Sequence, residues 1–260
     1  MDTMPLTGRR VVVTRAAAQA RPLVMLLEDA GAEVLVFPAI EIVDPEDFGP
    51  ADDAIRRLDV YSWVVFTSSN AVERFFTRMA CVDKDARALH GLRVAAVGPA
   101  TAEALGAQGI RPDFVPDEYV GEGLLEGLCV RGVGEGTRVL IPRALEAREV
   151  LPEELAARGA RVDVVPVYRT VPGAGDPEVL ARLAAGEADA VTFTSSSTVR
   201  EFARLTAGID LGGVVVACIG PVTAATAREL GMDVAVEPSE YTVPALVEAL
   251  GTHFAALGAD

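Results

Sequence analysis

The sequence predicts an α/β protein built from two related halves, and three observations predict it. Short valine-rich apolar runs alternate with amphipathic helical patterns along the chain. The phrase FTSS occurs at 66–69 and again at 193–196, each time after an apolar run and before a helical one. Landmarks also recur at near-constant spacing. Arg15 and Arg143, Gly31 and Gly159, and Pro38 and Pro166 are each 128 positions apart; Phe66 and Phe193 are 127 apart. Gly98 and Gly220 are 122 apart, as are Tyr119 and Tyr241. A period this long, drifting only at loops, means duplicated domains rather than a solenoid.

The first half opens with a buried strand over 10–14, RVVVT. A helix over 16–30, with Leu23, Leu26 and Leu27 on one side, closes at Gly31 as its C-cap. A strand over 33–37 follows, and the apolar run continues through Pro38 to position 43. That exceeds the roughly 5–6 residues usual for a strand, and proline has no N–H to donate in mid-sheet. The chain is therefore expected to leave its domain at Pro38 as an extended ribbon. Next come a helix over 52–58, a strand over 63–66, the FTSSN turn and a helix over 71–79. A strand over 93–97 ends in Gly98-Pro99, and Pro99 suits the first turn of a helix over 100–108. A short strand over 113–115 and a helix over 122–129 follow, and GVGEG at 132–136 reads as a hinge.

The second half repeats the plan: strand 137–141, helix 147–158 closing at Gly159, and strand 161–165. The run again continues past a proline, Pro166, through Tyr168 to Thr170. Then come helix 178–185, strand 190–193, FTSSST, helix 199–206 and strand 214–219. Gly220-Pro221 starts a helix over 222–230, and a strand over 234–236 and a helix over 243–250 complete the pattern. Five strands alternating with helices in each half imply parallel sheets covered on both faces, with right-handed crossovers. Five strands fit the flavodoxin-like order, whose ligands sit beyond the carboxyl ends of the strands. Both FTSS turns and both Gly-Pro turns fall at those ends.

The bulk properties narrow the function. The 260 residues are enough for two cores, and with half of them hydrophobic but only 5% aromatic, those cores are aliphatic. A net charge of −15 disfavours nucleic acid and anionic membranes as partners. No apolar run approaches the roughly 20 residues of a membrane span, and no signal-peptide pattern opens the chain. Cys81, Cys129 and Cys218 are isolated and odd in number, which argues for a reduced, cytoplasmic protein without a disulfide framework or CxxC metal site. A dinucleotide fingerprint is absent after the first strand, where VVVTRAAAQ stands. His90 and His253, the only histidines, lack partners at metal-ligand spacing and suit surface or packing roles.

The remaining candidates point to anion binding. Thr67, Ser68 and Ser69, and Thr194, Ser195, Ser196 and Ser197, stand at helix N-termini with no base that would make a serine a nucleophile. They can cap helices, and with the free N–H groups there they can also hold carboxylates. Gly98 and Gly220, with Thr101 and Thr223 just beyond, form a second matched pair: glycine admits a ligand to the backbone, or simply starts a helix. Arg15 and Arg143 end equivalent strands and can grip carboxylates with paired hydrogen bonds. Tyr168, in the second ribbon, either packs or serves a cleft as proton donor or hydrogen-bonding orienter.

Taken in order, VVVTR, FPAIEI, FTSSNAV, AVGPATAEAL, VLIPR, VPVYRT, FTSSSTV and IGPVTAATAREL resemble the uroporphyrinogen-III synthase family over nearly the whole chain. That resemblance implies a crossed chain path. One domain combines 1–38 with 172–260, the other spans 44–165, and a two-stranded ribbon of 38–43 and 166–171 joins them. Periodicity alone fits two contiguous halves equally well. The implied reaction is the cofactor-free, water-releasing ring closure of hydroxymethylbilane, a linear tetrapyrrole, with inversion of ring D. The implied role of Tyr168 is to assist departure of the hydroxyl, and the implied partners are this substrate and the upstream enzyme that makes it, with the protein itself a monomer. A non-catalytic sensor of small anions on the same scaffold is the alternative reading.

Overall fold

The computed structural model describes residues 4–117, 121–146 and 150–257. Tyr119 and the predicted helix start at 147–149 lie outside the described residues. The strands are β1 (Arg10–Val13), β2 (Glu33–Val36), β3 (Ile40–Val43), β4 (Trp63–Phe66), β5 (Arg93–Ala96), β6 (Arg138–Ala144), β7 (Arg161–Pro172), β8 (Ala190–Phe193), β9 (Val215–Cys218) and β10 (Val234–Val236). The helices are α1 (Ala17–Asp29), α2 (Gly49–Arg56), α3 (Ser69–Cys81), α4 (Pro99–Ala107), α5 (Gly121–Val130), α6 (Val150–Ala157), α7 (Pro177–Ala184), α8 (Ser196–Leu205), α9 (Pro221–Glu229) and α10 (Val243–Leu257).

The chain divides into two units, Met1–Ile42 with Val171–Asp260, and Val43–Thr170. In the first unit the sheet order is β10-β9-β8-β1-β2, all parallel. This is the flavodoxin-like order, assembled from the first two strands of the chain and the last three. Alternation along β1 places Val12 in one core with Leu35, Val191 and Phe202, and Val11 and Val13 in the other with Leu23, Leu250 and Phe254. Fully burying one such side chain contributes about 1.5–3 kcal/mol, so strands of four apolar residues suffice. Thr14 and Thr192, both buried, lock β1 to β8: Thr14 Oγ1 donates to the Thr192 carbonyl at 2.8 Å, and Thr192 Oγ1 to that of Val12 at 3.0 Å.

The other sheet has the order β3-β7-β6-β4-β5, with β4, β5 and β6 wholly in the second unit. The pairings β4–β5, β4–β6 and β6–β7 are parallel. Aligned on the repeat, β6, β7, β4 and β5 answer to β1, β2, β8 and β9, so this unit is the same sheet with its chain circularly permuted. The strand predicted over 113–115 is reduced to one parallel bridge between Phe114 and Ala95. Pro112 and Pro116 flank it and cannot donate to a longer ladder. The fifth strand of this sheet is instead β3, the run beyond Pro38. GVGEG is a turn inside this unit rather than a hinge, tied by Thr137 Oγ1, which accepts from Gly134 N–H at 2.8 Å.

The two prolines behave differently. Pro38 ends β2, and the returning chain closes on it: Gly173 N–H donates to the Ala39 carbonyl at 2.8 Å and Gly175 N–H to that of Pro38 at 3.1 Å. A Cβ on Gly173 would stand 2.3 Å from the Pro38 carbonyl oxygen, so only glycine permits this approach. Pro166 does not interrupt β7, which runs unbroken to Pro172. It sits where the register slips: Arg143 pairs with Pro166, but Ala144 pairs with Tyr168. The extra residue, Val167, makes a bulge, a position that tolerates proline.

Candidate active site

In each unit two neighbouring helices begin directly beyond two neighbouring strands. Helix α3 follows β4 and α4 follows β5; α8 follows β8 and α9 follows β9. Their free N–H groups and aligned dipoles gather at the carboxyl edge of the sheet, where an anion is favoured. The N-caps are Ser68, Gly98, Ser195 and Gly220. Ser68 and Ser195 have nearly the same backbone, φ −162° and ψ 154° against φ −163° and ψ 157°. Ser68 Oγ accepts from Ala71 N–H at 3.1 Å, and Ser195 Oγ from Thr198 N–H at 3.3 Å. Thr67, Ser69, Thr194, Ser196 and Ser197 are half-buried around these caps.

The other predicted residues spread in burial and in task. Arg15 follows β1 half-buried, whereas β6 extends past its predicted end at 141 to include Arg143, only 5% exposed. Thr101 and Thr223 are buried in the first turns of α4 and α9. Ser196 is engaged within its own unit, where Thr226 Oγ1 donates to it at 2.8 Å and it donates to the Val222 carbonyl at 3.3 Å. Gly98 and Gly220 are extended, a conformation open to any residue. At 220 a Cβ would stand 3.0 Å from the Tyr241 ring, so a larger residue would need that ring to give by a few tenths of an ångström.

One predicted pair is brought into contact. The Tyr168 phenol oxygen lies 3.1 Å from Ser68 Oγ. Tyr168 stands directly after the bulge at Val167 and is buried, 7% exposed, beside the start of α3. Leu145 N–H fixes the Tyr168 carbonyl at 2.9 Å. Burial raises the phenol pKa, while hydrogen bonding with the Ser68 and Asn70 side chains acts in the opposite direction. The net shift is upward, so the phenol stays protonated well past neutrality.

Asn70 and the register slip were not among the predicted features. The trace of Asn70 in the sequence is the one-letter difference between FTSSN and FTSSS, which places asparagine where the other copy has Ser197. Two surface hollows, of about 610 and 310 Å³, lie at the opposite ends of β9, β10 and β5, lined by residues such as Asp210, Leu211 and Met232, and Arg87, His90 and Arg111. Neither contains a predicted site residue. Among the described residues, no helix is long and apolar enough to cross a membrane.

Comparison with known proteins matches the chain over residues 21–248 to the family model described as uroporphyrinogen-III synthase HemD. A uroporphyrinogen-III synthase of Synechococcus elongatus is 36% identical over 96% of this chain and 97% of its own length. Among solved structures, a mutant uroporphyrinogen III synthase of Thermus thermophilus aligns with a TM-score of 0.67 at 20% identity, over 96% of this chain and all of that one. The uroporphyrinogen-III synthetase of Helicobacter pylori aligns with a TM-score of 0.60 at 19% identity, over 97% of this chain and all of that one. At such identities the structural likeness is one of fold.

Proposed function

The chain belongs to the uroporphyrinogen-III synthase family, and from that premise we infer which of its residues carry the reaction. The protein is a cyclising lyase of tetrapyrrole biosynthesis that closes hydroxymethylbilane, with loss of water and inversion of ring D, to uroporphyrinogen III. The sensor alternative has no relative among these matches to favour it.

Tyr168 is the proton donor. The observation that carries this is its phenol, buried at the bulge of β7 and 3.1 Å from the N-cap oxygen of α3. As the hydroxymethyl C–O bond breaks with both electrons on oxygen, the phenol proton converts that oxygen to water. Electrons from the pyrrole nitrogen complete an exocyclic double bond, giving an N-protonated azafulvene, a cation balanced by the phenolate. Ring D attacks it through its substituted α-carbon to form a spiro-pyrrolenine still protonated on the ring D nitrogen. Migration of the bridge then inverts the ring, and the proton shed as ring D regains aromaticity restores the phenol. Unguided closure takes the unsubstituted carbon instead, so holding the chain of pyrroles in one conformation is the larger task.

The substrate carboxylates are held by Arg15 and Arg143, by the hydroxyls of Thr67, Ser69, Thr194, Ser195 and Ser197, and by backbone N–H groups beyond Gly98 and Gly220. These helix N-termini offset a net charge of −15 locally. The stretches 38–43 and 166–171 serve as the linking ribbon. The protein works as a cytoplasmic monomer, taking its substrate from the enzyme that makes it.

The test is to generate hydroxymethylbilane in situ, add the protein, oxidise the products and separate the porphyrin isomers. Type III above the spontaneous background is expected. Type I alone, from folded protein, overturns the reading.

A further inference from the structure

We propose that Ser68 and Asn70 are positioning residues for Tyr168: both donate to its phenol oxygen, which leaves the phenol's own proton directed at the departing hydroxyl of the substrate. The proposal rests on the reading of Tyr168 as proton donor and adds what aims that proton.

The geometry allows two directions for the Ser68–Tyr168 bond at 3.1 Å, since either hydroxyl can donate. If the phenol donated to Ser68, its proton would be committed to a neighbour. Ser68 Oγ already accepts from Ala71 N–H at 3.1 Å. Donation onward from Ser68 makes a head-to-tail chain, Ala71 N–H to Ser68 O–H to the phenol oxygen, in which each bond polarises the next. The chain begins at the N-terminus of α3, where the helix dipole favours negative charge. That charge is what develops on the phenol oxygen as it gives up its proton. Asn70, in the first turn of the same helix, supplies a second side-chain hydrogen bond to the phenol. A phenol oxygen has two lone pairs, and two donors fill them. The only remaining polar function is then the O–H itself. Burial keeps that proton in place until it is needed, and the two donors ease its departure.

The first unit supports the assignment by contrast. Counting from the paired prolines and the paired FTSS turns, Tyr168 answers to Ile40 and Asn70 to Ser197. The other cap, Ser195, has Thr198 as its neighbour instead: Thr198 Oγ1 lies 3.5 Å from Ser195 Oγ and donates to the Ser195 carbonyl at 2.7 Å. The serine cap is common to both copies, and the tyrosine and asparagine occur together in one.

The experiment compares Ser68→Gly, Ser68→Thr, Asn70→Ala and Tyr168→Phe in the whole protein, by initial rates of type III isomer formation from bilane generated in situ. Glycine retains helix capping to within a few tenths of a kcal/mol, so Ser68→Gly removes the hydroxyl with little effect on α3. Ser68→Gly and Asn70→Ala are each expected to lower kcat about tenfold, the worth of one hydrogen bond to a developing charge, with KM unchanged. Ser68→Thr should restore the rate. Neither loss should persist in a Tyr168→Phe background, and the ultraviolet ionisation of Tyr168, taken as the difference from Tyr168→Phe, should move to higher pH in both variants. Full rates in Ser68→Gly and Asn70→Ala with Tyr168→Phe slowed overturn the proposal and leave Tyr168 as donor. A raised KM at constant kcat, or losses that add to that of Tyr168→Phe, also overturn it, because the side chains would then be acting on substrate or fold. Tyr168→Phe at full rate removes the reading beneath it. Should Ser68→Gly fail to fold, Asn70→Ala carries the same readouts.

Discussion

Ser68 and Ser195 occupy the same turn of the same fold, with backbone angles within about three degrees of one another, and differ in what their hydroxyls touch. One meets a tyrosine of the neighbouring strand β7; the other meets the threonine one turn along its own helix. Duplication has therefore kept the serine-capped helix ends in both units and left a tyrosine beside the cap in one. The lesson is that the fold supplies the helix ends twice, while the tyrosine proposed to react stands beside only one of them.

The hardest test of that contrast is Tyr168→Phe, which leaves both sets of helix ends intact. A general acid is worth about 10²–10⁴ in rate, and we expect a fall in kcat near the low end, with type III still the product. Undiminished turnover would make the two copies equivalent and sink the distinction.

A second test concerns packing beneath the sites. In the second unit Phe114 lies over Gly127, whose added Cβ would come within 1.9 Å of the ring, and Arg131 stacks on the ring at 3.8 Å. The repeat aligns these residues with Val236, Ala249 and His253 of the first unit, a smaller side chain facing a larger one. Gly127→Ala should destabilise by about 1–3 kcal/mol through overpacking, read as a lower midpoint in urea. Adding Phe114→Val, which transplants the first unit's pair, should recover most of the loss. No recovery would mean the two cores are not interchangeable at this point.

The smallest expected effect is electrostatic. In the second unit Arg78 grips Asp52 through two hydrogen bonds, linking α3 to α2, and stacks over Phe48 at 4.4 Å. The Arg78 hydrogen bond is the main cause of a lowered Asp52 pKa. A depressed carboxyl stabilises the fold at pH above its unfolded value near 4, and that contribution is lost as pH falls toward the depressed value. Asp52→Asn should cost about 1 kcal/mol at pH 7, as for a partly exposed pair, and should flatten stability against pH in the acid range. Unchanged acid dependence would assign the acid limb to other carboxylates.

The sequence made most of the scaffold readable. Trp63–Phe66, Ala190–Phe193 and Val234–Val236 form strands at the predicted positions, because runs of buried β-branched and aromatic residues leave few other options. Helix starts were less legible: α3 and α8 begin two or three residues before the apolar pattern, at the serines themselves. The reduced strand at Phe114 follows from its flanking prolines, Pro112 and Pro116, which outweigh the short apolar run. At the site, hydroxyls and glycines stood out because the repeat displayed them twice. Asn70 did not, because it breaks the repeat. The bulge could not be read, since VPVYRT has the pattern of an ordinary strand and a register slip depends on the partner strand, β6. Ser196 also has a partner that the sequence does not display, Thr226, 30 residues away on another helix.

The permuted arrangement also sets a timetable for synthesis. Val12 pairs with Val191, 179 positions later, so β1 and β2 leave the ribosome long before β8, the strand that β1 must lie beside. At about 5–20 residues per second the wait is on the order of 10–40 s. The strands β4 to β7 all emerge within that interval and can close their own core. The half of the protein that is begun first is thus finished last. Its valines, Val11 to Val13, stay uncovered on the growing chain for that time, a natural foothold for a chaperone.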